Sequence, residues 1–267
     1  EAGLYVDGVK MTGVLTDNYY LVEGFFKCAA KETGTTVTVQ AYYVADGVEV
    51  KGNVITTSIA SLLRAYLAST DVEIVALATA TLNYAAAAQV YFGYDTDNLV
   101  NAGLSATPSA GEYADNFTVV EAKPNATVAP YEMALLLNDT VDLHIKIAAK
   151  NGVSVDFSAL YLAVSESADM TDSATVAFNE KGVAVVKAIS PTKWNDTYYF
   201  CIVDGEGNAV SATFSYGVST YFARMSETED ANLAALIDAM MALYEANEAY
   251  LAEPYIPEGN QTQPDNI

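Results

Sequence analysis

Basic residues are scarce in this sequence, and their shortage excludes several kinds of partner. The chain has 12 Lys and Arg residues against 34 Asp and Glu residues, which gives a formal net charge of −22. Binding to a nucleic acid backbone or to an anionic membrane surface needs a basic patch, so neither partner is expected. The acidic charge is instead typical of a protein that works outside the cell or binds cations such as calcium.

Histidine and cysteine are almost absent, which leaves few routes to catalysis. His144 is the one histidine; it lies in a strand-like run, and no Gly-x-Ser-x-Gly motif in the chain supplies a nucleophile. One histidine and two distant cysteines exclude a zinc site. No glycine-rich nucleotide motif is present, and no pair among the 34 acids is singled out by its surroundings. The sequence therefore predicts a protein that is not an enzyme and holds no cofactor, calcium aside.

The two cysteines, Cys28 and Cys201, lie far apart in separate strand-like runs. A disulfide between them would need their Cα atoms within about 7 Å. Buried free thiols are therefore the expected state.

Long hydrophobic runs are also lacking, because no span of about twenty consecutive apolar residues indicates a membrane helix or a signal peptide. The chain begins at Glu1 without Met and contains 19 Tyr residues. These features favour a mature secreted or cell-surface protein with no membrane insertion.

Two stretches of the chain share a pattern. Residues 58–92 resemble residues 217–251 at an offset of 159, and each stretch combines a short apolar helix, an acidic break and a long Ala-rich helix. A second similarity joins residues 25–31 to residues 144–150 at an offset of 119. The difference between the two offsets indicates an insertion of about forty residues in the second copy. Chance similarity in an Ala-rich chain is the alternative.

Antiparallel strands are predicted before each helical block. Asp7-Gly8 suits a tight hairpin turn, and longer alternating runs cover residues 19–30 and 36–44, followed by a short strand at 48–50. Further strands are predicted within 133–150, with a turn at Asn138-Asp139, and on both sides of 204–208.

Each helical block has recognisable start and stop signals. A short helix is predicted at 58–67, and a long one begins at a capping box on Thr70 and ends at Gly93. In the second block a capping box on Ser226 starts the final helix. The small side chains of 85–88 allow close approach of the domain's own sheet or of a neighbouring subunit.

The sequence thus predicts an α+β fold with two tandem, related domains, each an antiparallel β-meander or sandwich followed by a short and a long helix. The first domain is expected at residues 1–103 and the second at 131–252. A Gly- and Pro-containing connecting segment covers 104–130, and an extended C-terminal tail covers 253–267.

One segment of the first long helix resembles a known group of proteins. Tyr84 to Phe92 reads Tyr-Ala-Ala-Ala-Ala-Gln-Val-Tyr-Phe, and Asp97 to Asn101 reads Asp-Asn-Leu-Val-Asn. This pattern resembles a segment of secreted and cell-surface proteins of Clostridia-like bacteria, in which Gly is usual at Ala85 and Ala at Val100. No catalytic residues are established for that group, so the resemblance implies an extracellular setting and little else.

Two acidic loops are candidate calcium sites, because clustered carboxylate and amide oxygens are the ligands that calcium takes. A helix exit in the first loop and a hairpin turn in the second are the alternative interpretations. The candidate ligands are Asp95, Asp97 and Asn98 in the first loop, and Asp204, Glu206 and Asn208 in the second.

Three Tyr-Tyr pairs, at 19–20, 42–43 and 198–199, lie in strand-like runs. Alternation along a strand predicts that one ring of each pair faces the core and the other faces solvent or a neighbour. Exposed rings could also stack on glycans.

The favoured function is a structural subunit that assembles with copies of itself into an extracellular filament, tube or surface lattice. The alternative is a carbohydrate- or cell-wall-binding module of a bacterial surface protein. Strand addition at an unpaired sheet edge is the expected joint. The candidate assembly residues are Leu4, Tyr5, Val6, Val9 and Met11 near the N-terminus and Tyr255 and Ile256 in the tail.

Overall fold

The computed structural model describes residues 1–16, 19–24, 28–106, 115–137, 140–150, 152–226 and 228–252. Strands in the first half are β1 (Ala2–Val6), β2 (Val9–Thr12), β3 (Val14–Thr16), β4 (Tyr19–Leu21), β5 (Val37–Ala45) and β6 (Val48–Thr57). Those in the second half are β7 (Val119–Glu121), β8 (Val128–Leu137), β9 (Val141–Ala149), β10 (Tyr161–Ser165), β11 (Ala174–Ala177), β12 (Val183–Val186), β13 (Tyr198–Val203) and β14 (Thr213–Tyr216). The helices are α1 (Ile59–Tyr66), α2 (Val72–Phe92), α3 (Val218–Met225) and α4 (Ala231–Ala252), with 3-10 turns at Ala30–Glu32, Phe157–Ala159 and Pro191–Lys193.

The described strands form antiparallel sheets, which confirms the predicted α+β class. An N-terminal sheet has the strand order β2-β1-β5-β6, and a five-stranded sheet has the order β11-β10-β13-β14-β7. A three-stranded sheet, β12-β9-β8, and the hairpin β3-β4 complete the set within the described ranges.

The main hydrophobic core lies between the three-stranded and five-stranded sheets and beneath the long helices. It joins Ile145 of β9 to Leu162, Phe200 and Phe214 of the five-stranded sheet. Ala80 and Ala88 of α2 belong to the same core, and α2 packs directly on α4. The Ala-rich turn of α2 divides between two neighbours: Ala88 lies in the main core with α4, whereas Ala85 and Ala86 form a second cluster with Ala60 of α1 and with Val100.

Local side-chain caps explain where the helices begin. Ser58 and Ser61 exchange side-chain hydrogen bonds at the start of α1. Asp71 accepts the first N–H groups of α2, and Asp230 does the same for α4. The predicted helices are thus confirmed, but the capping boxes proposed at Thr70 and Ser226 are wrong, since an aspartate at the N-cap bonds N2 and N3 directly.

Helix α2 ends at Gly93, whose φ of 61° places it in the left-handed region, as predicted. Among the described helices, α2 is long and apolar enough to cross a membrane by length and composition. Eight of its residues are buried inside the fold, including Leu82 and Gln89. A core helix of a folded protein passes the same test of composition.

Three local predictions for the first half differ from the structure. The strand expected over 19–30 is present as β4 over Tyr19–Leu21, and Ala30–Glu32 form a 3-10 turn, while residues 25–27 lie outside the described residues. Over the residues that are described in both segments, the similarity of 25–31 to 144–150 is wrong as a structural match, because Ala30 and Lys31 lie in a 3-10 turn, whereas their counterparts in 144–150 continue strand β9 up to Ala149. Strand β6 continues to Thr57, well beyond Val50.

Candidate assembly surface

The N-terminal sheet has one polar face, on which charged and aromatic side chains contact each other. Lys10 Nζ lies 2.7 Å from Glu49 Oε2, and the Tyr5 hydroxyl donates to Glu49 Oε1 at 2.9 Å. The hydrogen bond from Lys10 is the main cause that holds the pKa of Glu49 below its usual value. The Tyr5 ring packs edge-on against Tyr42 at 5.4 Å, and Lys51 Nζ lies 3.8 Å from the centre of the Tyr5 ring. The side chains of this face therefore make their contacts with one another.

The opposite face of the N-terminal sheet is apolar and open. Residues paired across antiparallel strands share a face, so the register defines this apolar face. It comprises Leu4, Val6, Val9, Met11, Val39, Ala41, Tyr43, Val48, Val50 and Ile55. Val9, Ala41, Tyr43, Val48, Val50 and Ile55 are exposed, whereas Val39 is the one buried member. A contiguous exposed patch of this kind is typical of an interaction site.

Strand β6 is an edge strand of ten residues, and in the described part of the chain no strand pairs with its outer side. Val54 and Ile55 are 59% and 58% exposed and point to opposite faces, because Val54 pairs with Gln40 and Ile55 with Val39. Unpaired N–H and C=O groups along such an edge are a template for another strand. The N-terminal sheet therefore has both an unpaired edge at β6 and an exposed apolar face, and we call it the open N-terminal sheet.

The predicted assembly residues of the N-terminus divide between the two faces. Leu4, Val6, Val9 and Met11 lie on the apolar face, and Tyr5 lies on the polar face. Tyr255 and Ile256 lie outside the described residues.

Sequence analysis missed the contribution of β5 and β6 to this surface, namely Ala41, Tyr43, Val50 and Ile55. The signal that could have found the β6 residues was the alternation of Val48 with Glu49 and of Val50 with Lys51. Gly52-Asn53 interrupts this alternation. The tyrosine pairs follow the alternation rule in one clear case, since Tyr42 is 2% exposed and Tyr43 is 53% exposed. For Tyr19 and Tyr20 the rule is wrong, because both rings are exposed.

The first acidic loop is bonded to helix α2. Asp95 Oδ1 accepts the Asn98 side-chain amide at 2.7 Å, and the buried Gln89 side chain binds the loop at three points. Gln89 Oε1 accepts the Val100 N–H at 3.0 Å, while its amide group donates to the backbone carbonyls of Asn98 and Asp95. The polar residues of the segment that resembles cell-surface proteins therefore fasten this loop to the helix.

The second acidic loop is a hairpin turn. Asp204 Oδ1 accepts the backbone N–H groups of Glu206 and Asn208, each at 2.9 Å. The hydrogen bond from the Asn208 N–H is the main cause that lowers the pKa of Asp204. Among the described residues no group of three or more His, Cys, Asp or Glu side chains converges on one point. Calcium binding at either loop stays a prediction.

A cavity of about 320 Å³ lies between the two halves of the chain, and the sequence did not predict it. Its described lining includes Cys28, Thr81, Tyr84, Ile189 and Trp194. The Tyr84 ring packs edge-on against Trp194 at 5.8 Å, and burial raises the pKa of Tyr84 to about 12. The described lining residues carry apolar groups, hydroxyls and one thiol. They do not pair a general acid with a general base.

Comparison of the chain with protein-family models, curated proteins and solved structures found no match. The functional proposal therefore depends on the structure of this chain alone.

The remaining groups considered for chemistry have structural surroundings. His144 lies within β9, paired with Ala134 on one side and Val185 on the other. Cys28 and Cys201 form no disulfide with each other. Cys201 is buried in β13 within the five-stranded sheet.

Proposed function

We propose that this protein is a structural subunit, without catalytic activity, that assembles with copies of itself into an extracellular filament, tube or surface lattice. The observation that carries the proposal is the open N-terminal sheet, which exposes an apolar face and a ten-residue strand edge at the same place. A sheet left open on a face and an edge is suited to pairing with another chain.

We also infer that the chain contains two related units, the finer organisation that the repeat suggested. The support is that α3 and α4 begin 159 residues after α1 and α2, respectively. Asp71 and Asp230, also 159 residues apart, cap the long helices in the same way. The strand order β2-β1-β5-β6 recurs as β11-β10-β13-β14.

A shared contact at the base of the short helices supports the same inference. The N–H of Ala60 donates to the carbonyl of Thr33 at 2.9 Å, directly after the first 3-10 turn. The N–H of Ser219 donates to the carbonyl of Trp194 at 2.9 Å, directly after the turn Pro191–Lys193. The first unit then spans β1 to α2, and the second spans β10 to α4, with β7, β8 and β9 between them.

An extracellular setting agrees with the net charge of −22 and with the resemblance of Tyr84 to Phe92 to cell-surface proteins. High net charge keeps a protein with exposed apolar surface soluble at low concentration.

Electron microscopy of the purified protein at rising concentration, with and without calcium, tests the proposal. The expected result is regular polymers or two-dimensional arrays that dissociate on dilution. Single particles of uniform size under all of these conditions would contradict it, and specific retention on peptidoglycan or plant polysaccharide by such particles would favour the binding-module alternative.

A further inference from the structure

The two related units differ in one respect, which is whether the apolar face of their sheet is covered. The pairing registers match row by row: Val6, Val39 and Ile55 form one row of the N-terminal sheet, and Val164, Phe200 and Phe214 form the matching row of the five-stranded sheet. In a neighbouring row, Met11, Leu4 and Ala41 match Val176, Leu162 and Ile202. The apolar face of the first unit therefore has a defined counterpart in the second.

In the second unit the centre of this face is buried, and Val164 and Val176 at its margin are half-buried. Phe200, Phe214, Leu162 and Ile202 are each exposed by 1% or less and belong to the core that contains Ile145 of the three-stranded sheet. That sheet is an additional layer contributed by strands β8, β9 and β12. Two sheets packed in this way form a sandwich with a spacing of about 10 Å.

In the first unit the described residues provide no such layer. Ile55, the counterpart of Phe214, is 58% exposed. Helix α1 of the same unit exposes one side, because Leu62 and Tyr66 are 50% and 55% exposed, while Ala60 packs against α2. Their counterparts in α3, 159 residues later, are Tyr221 and Met225, which pack against the main core.

We propose that the apolar face of the N-terminal sheet is covered by the same face of a second copy of this chain, in a two-fold sandwich of two N-terminal sheets. This inference rests on the proposed self-assembly and specifies one of its contacts. A two-fold contact requires one patch that complements itself, and a flat apolar sheet face meets that requirement.

The distribution of charge favours a second copy over a charged partner. No charged side chain lies on the apolar face in β1, β2, β5 or β6, although the whole chain carries a net charge of −22. Two copies can therefore meet on this face without placing like charges in contact. A basic partner protein would find no carboxylate there.

The size of the face sets the strength of the contact. Four strands at about 4.8 Å spacing, with two of them extending further, give roughly 450 Å² of sheet per copy. Two copies would bury roughly 900 Å², which lies below the roughly 1,200–2,000 Å² of stable specific interfaces and in the range of weak, transient ones. We therefore expect a reversible, concentration-dependent dimer. A two-fold contact closes on itself, so a filament or lattice needs a second contact elsewhere.

Ile55→Lys and Val54→Lys form a matched pair for the test, because the two residues are adjacent on β6, equally exposed, and point to opposite faces. Each substitution adds the same charge. In sedimentation-velocity and equilibrium measurements on the full chain, Ile55→Lys should raise the dimer dissociation constant at least about hundredfold, since the residue occurs twice in a two-fold contact. Val54→Lys should change it by less than about threefold.

Cysteine cross-linking, carried out at a concentration at which the dimer is populated, supplies a second measurement, which reports on the geometry of the contact. Ala41 is exposed on the interior strand β5, and Gln40 is its neighbour on the polar face. Ala41→Cys should form an intermolecular disulfide under mild oxidation, whereas Gln40→Cys and the unaltered chain should not. Circular dichroism melting curves confirm that each variant is folded.

Salt dependence distinguishes the possible partners. Because both copies are acidic, raising the salt concentration should strengthen the dimer by screening their repulsion. Weakening of the dimer by salt would overturn the proposal, as would equal weakening by both lysine variants, which would assign the contact to the strand edge. Polymers that persist unchanged in Ile55→Lys would overturn this contact and leave the proposed assembly standing, whereas a monomer at every concentration would remove both.

Discussion

Replacing Gln89 with leucine should detach the first acidic loop from helix α2. The Gln89 side chain is 1% exposed and binds the loop through one hydrogen bond of 3.0 Å and two longer ones of 3.3 and 3.5 Å. Leucine has a similar volume and leaves no cavity, but it leaves the N–H of Val100, itself 7% exposed, without its acceptor. An orphaned buried donor costs about 1–3 kcal/mol, and the two long bonds add a smaller amount. We expect a total loss of about 2–3 kcal/mol.

Urea denaturation followed by circular dichroism measures this loss, and hydrogen exchange locates it. Backbone amides of residues 95–101 should exchange faster in Gln89→Leu, because the loop opens without global unfolding. Val90→Ala is the control, since Val90 is adjacent and 38% exposed. A loss below about 0.5 kcal/mol in Gln89→Leu would refute the interpretation that this residue fastens the loop.

Gln89→Glu tests the same contact through pH. The new carboxyl keeps the acceptor for the Val100 N–H but faces the carbonyl oxygens of Asn98 and Asp95, to which the glutamine amide donated. Burial against carbonyl oxygens should raise the pKa of this carboxyl above its unfolded value. The folded state then binds more protons than the unfolded state, so the variant should be more stable near pH 5 than at pH 7. The opposite trend would contradict the geometry.

Three further predictions concern other positions. Asp71→Ala and Asp230→Ala should each lower stability by about 1 kcal/mol in urea denaturation, equally if the two caps are equivalent. Thr220→Val should raise stability by about 1 kcal/mol, because the Thr220 hydroxyl is buried and has no hydrogen-bond partner among the described residues. The pKa of Glu49 is lowered mainly by its hydrogen bond to Lys10, so its contribution to stability is present above its unfolded pKa of 4.5 and is lost as pH falls through the lower folded value. The melting temperatures of Glu49→Gln and the unaltered chain should therefore differ at pH 7 and converge at strongly acid pH.

Helices were the part of the fold that the sequence predicted best, because their signals are local. The left-handed residue Gly93 and the long apolar stripes sufficed to place all four described helices. The error at Thr70 arose because a capping-box pattern and a simple aspartate cap can occupy adjacent residues. Asp71 Oδ1 accepts the backbone N–H groups of Glu73 and Ile74, and Thr70 takes part in neither bond.

Strand β6 shows why strand lengths were predicted less well. Gly52-Asn53 reads as a turn, yet the ladder shifts register between Gln40 and Tyr42 and continues to Thr57. The Gln40 side chain donates to the Gly52 carbonyl at 2.9 Å and stabilises this irregularity. A bulge of this kind depends on the opposing strand, which the local sequence does not reveal.

The open face of the N-terminal sheet was out of reach of sequence analysis for a different reason. Leu4 of the N-terminal sheet and Leu162 of the five-stranded sheet lie in similar pairing patterns, and the three-stranded sheet packs over Leu162. Whether a face is covered depends on contacts that are distant in sequence. The candidate residues Leu4, Val6, Val9 and Met11 were proposed as parts of an N-terminal segment that could add to a sheet edge, whereas Ala41 and Ile55 needed the register.

The packing of α2 on α4 also has a consequence for dividing the molecule. Ala80 and Ala88 of the first long helix belong to the same core as Leu236 and Met240 of the second. A fragment that ends after residue 103 would expose the surface of α2 around these alanines to solvent. The remaining fragment would lose the contacts that α2 makes with its hydrophobic core. We expect neither half to be soluble when expressed alone, and the whole chain to melt in a single transition.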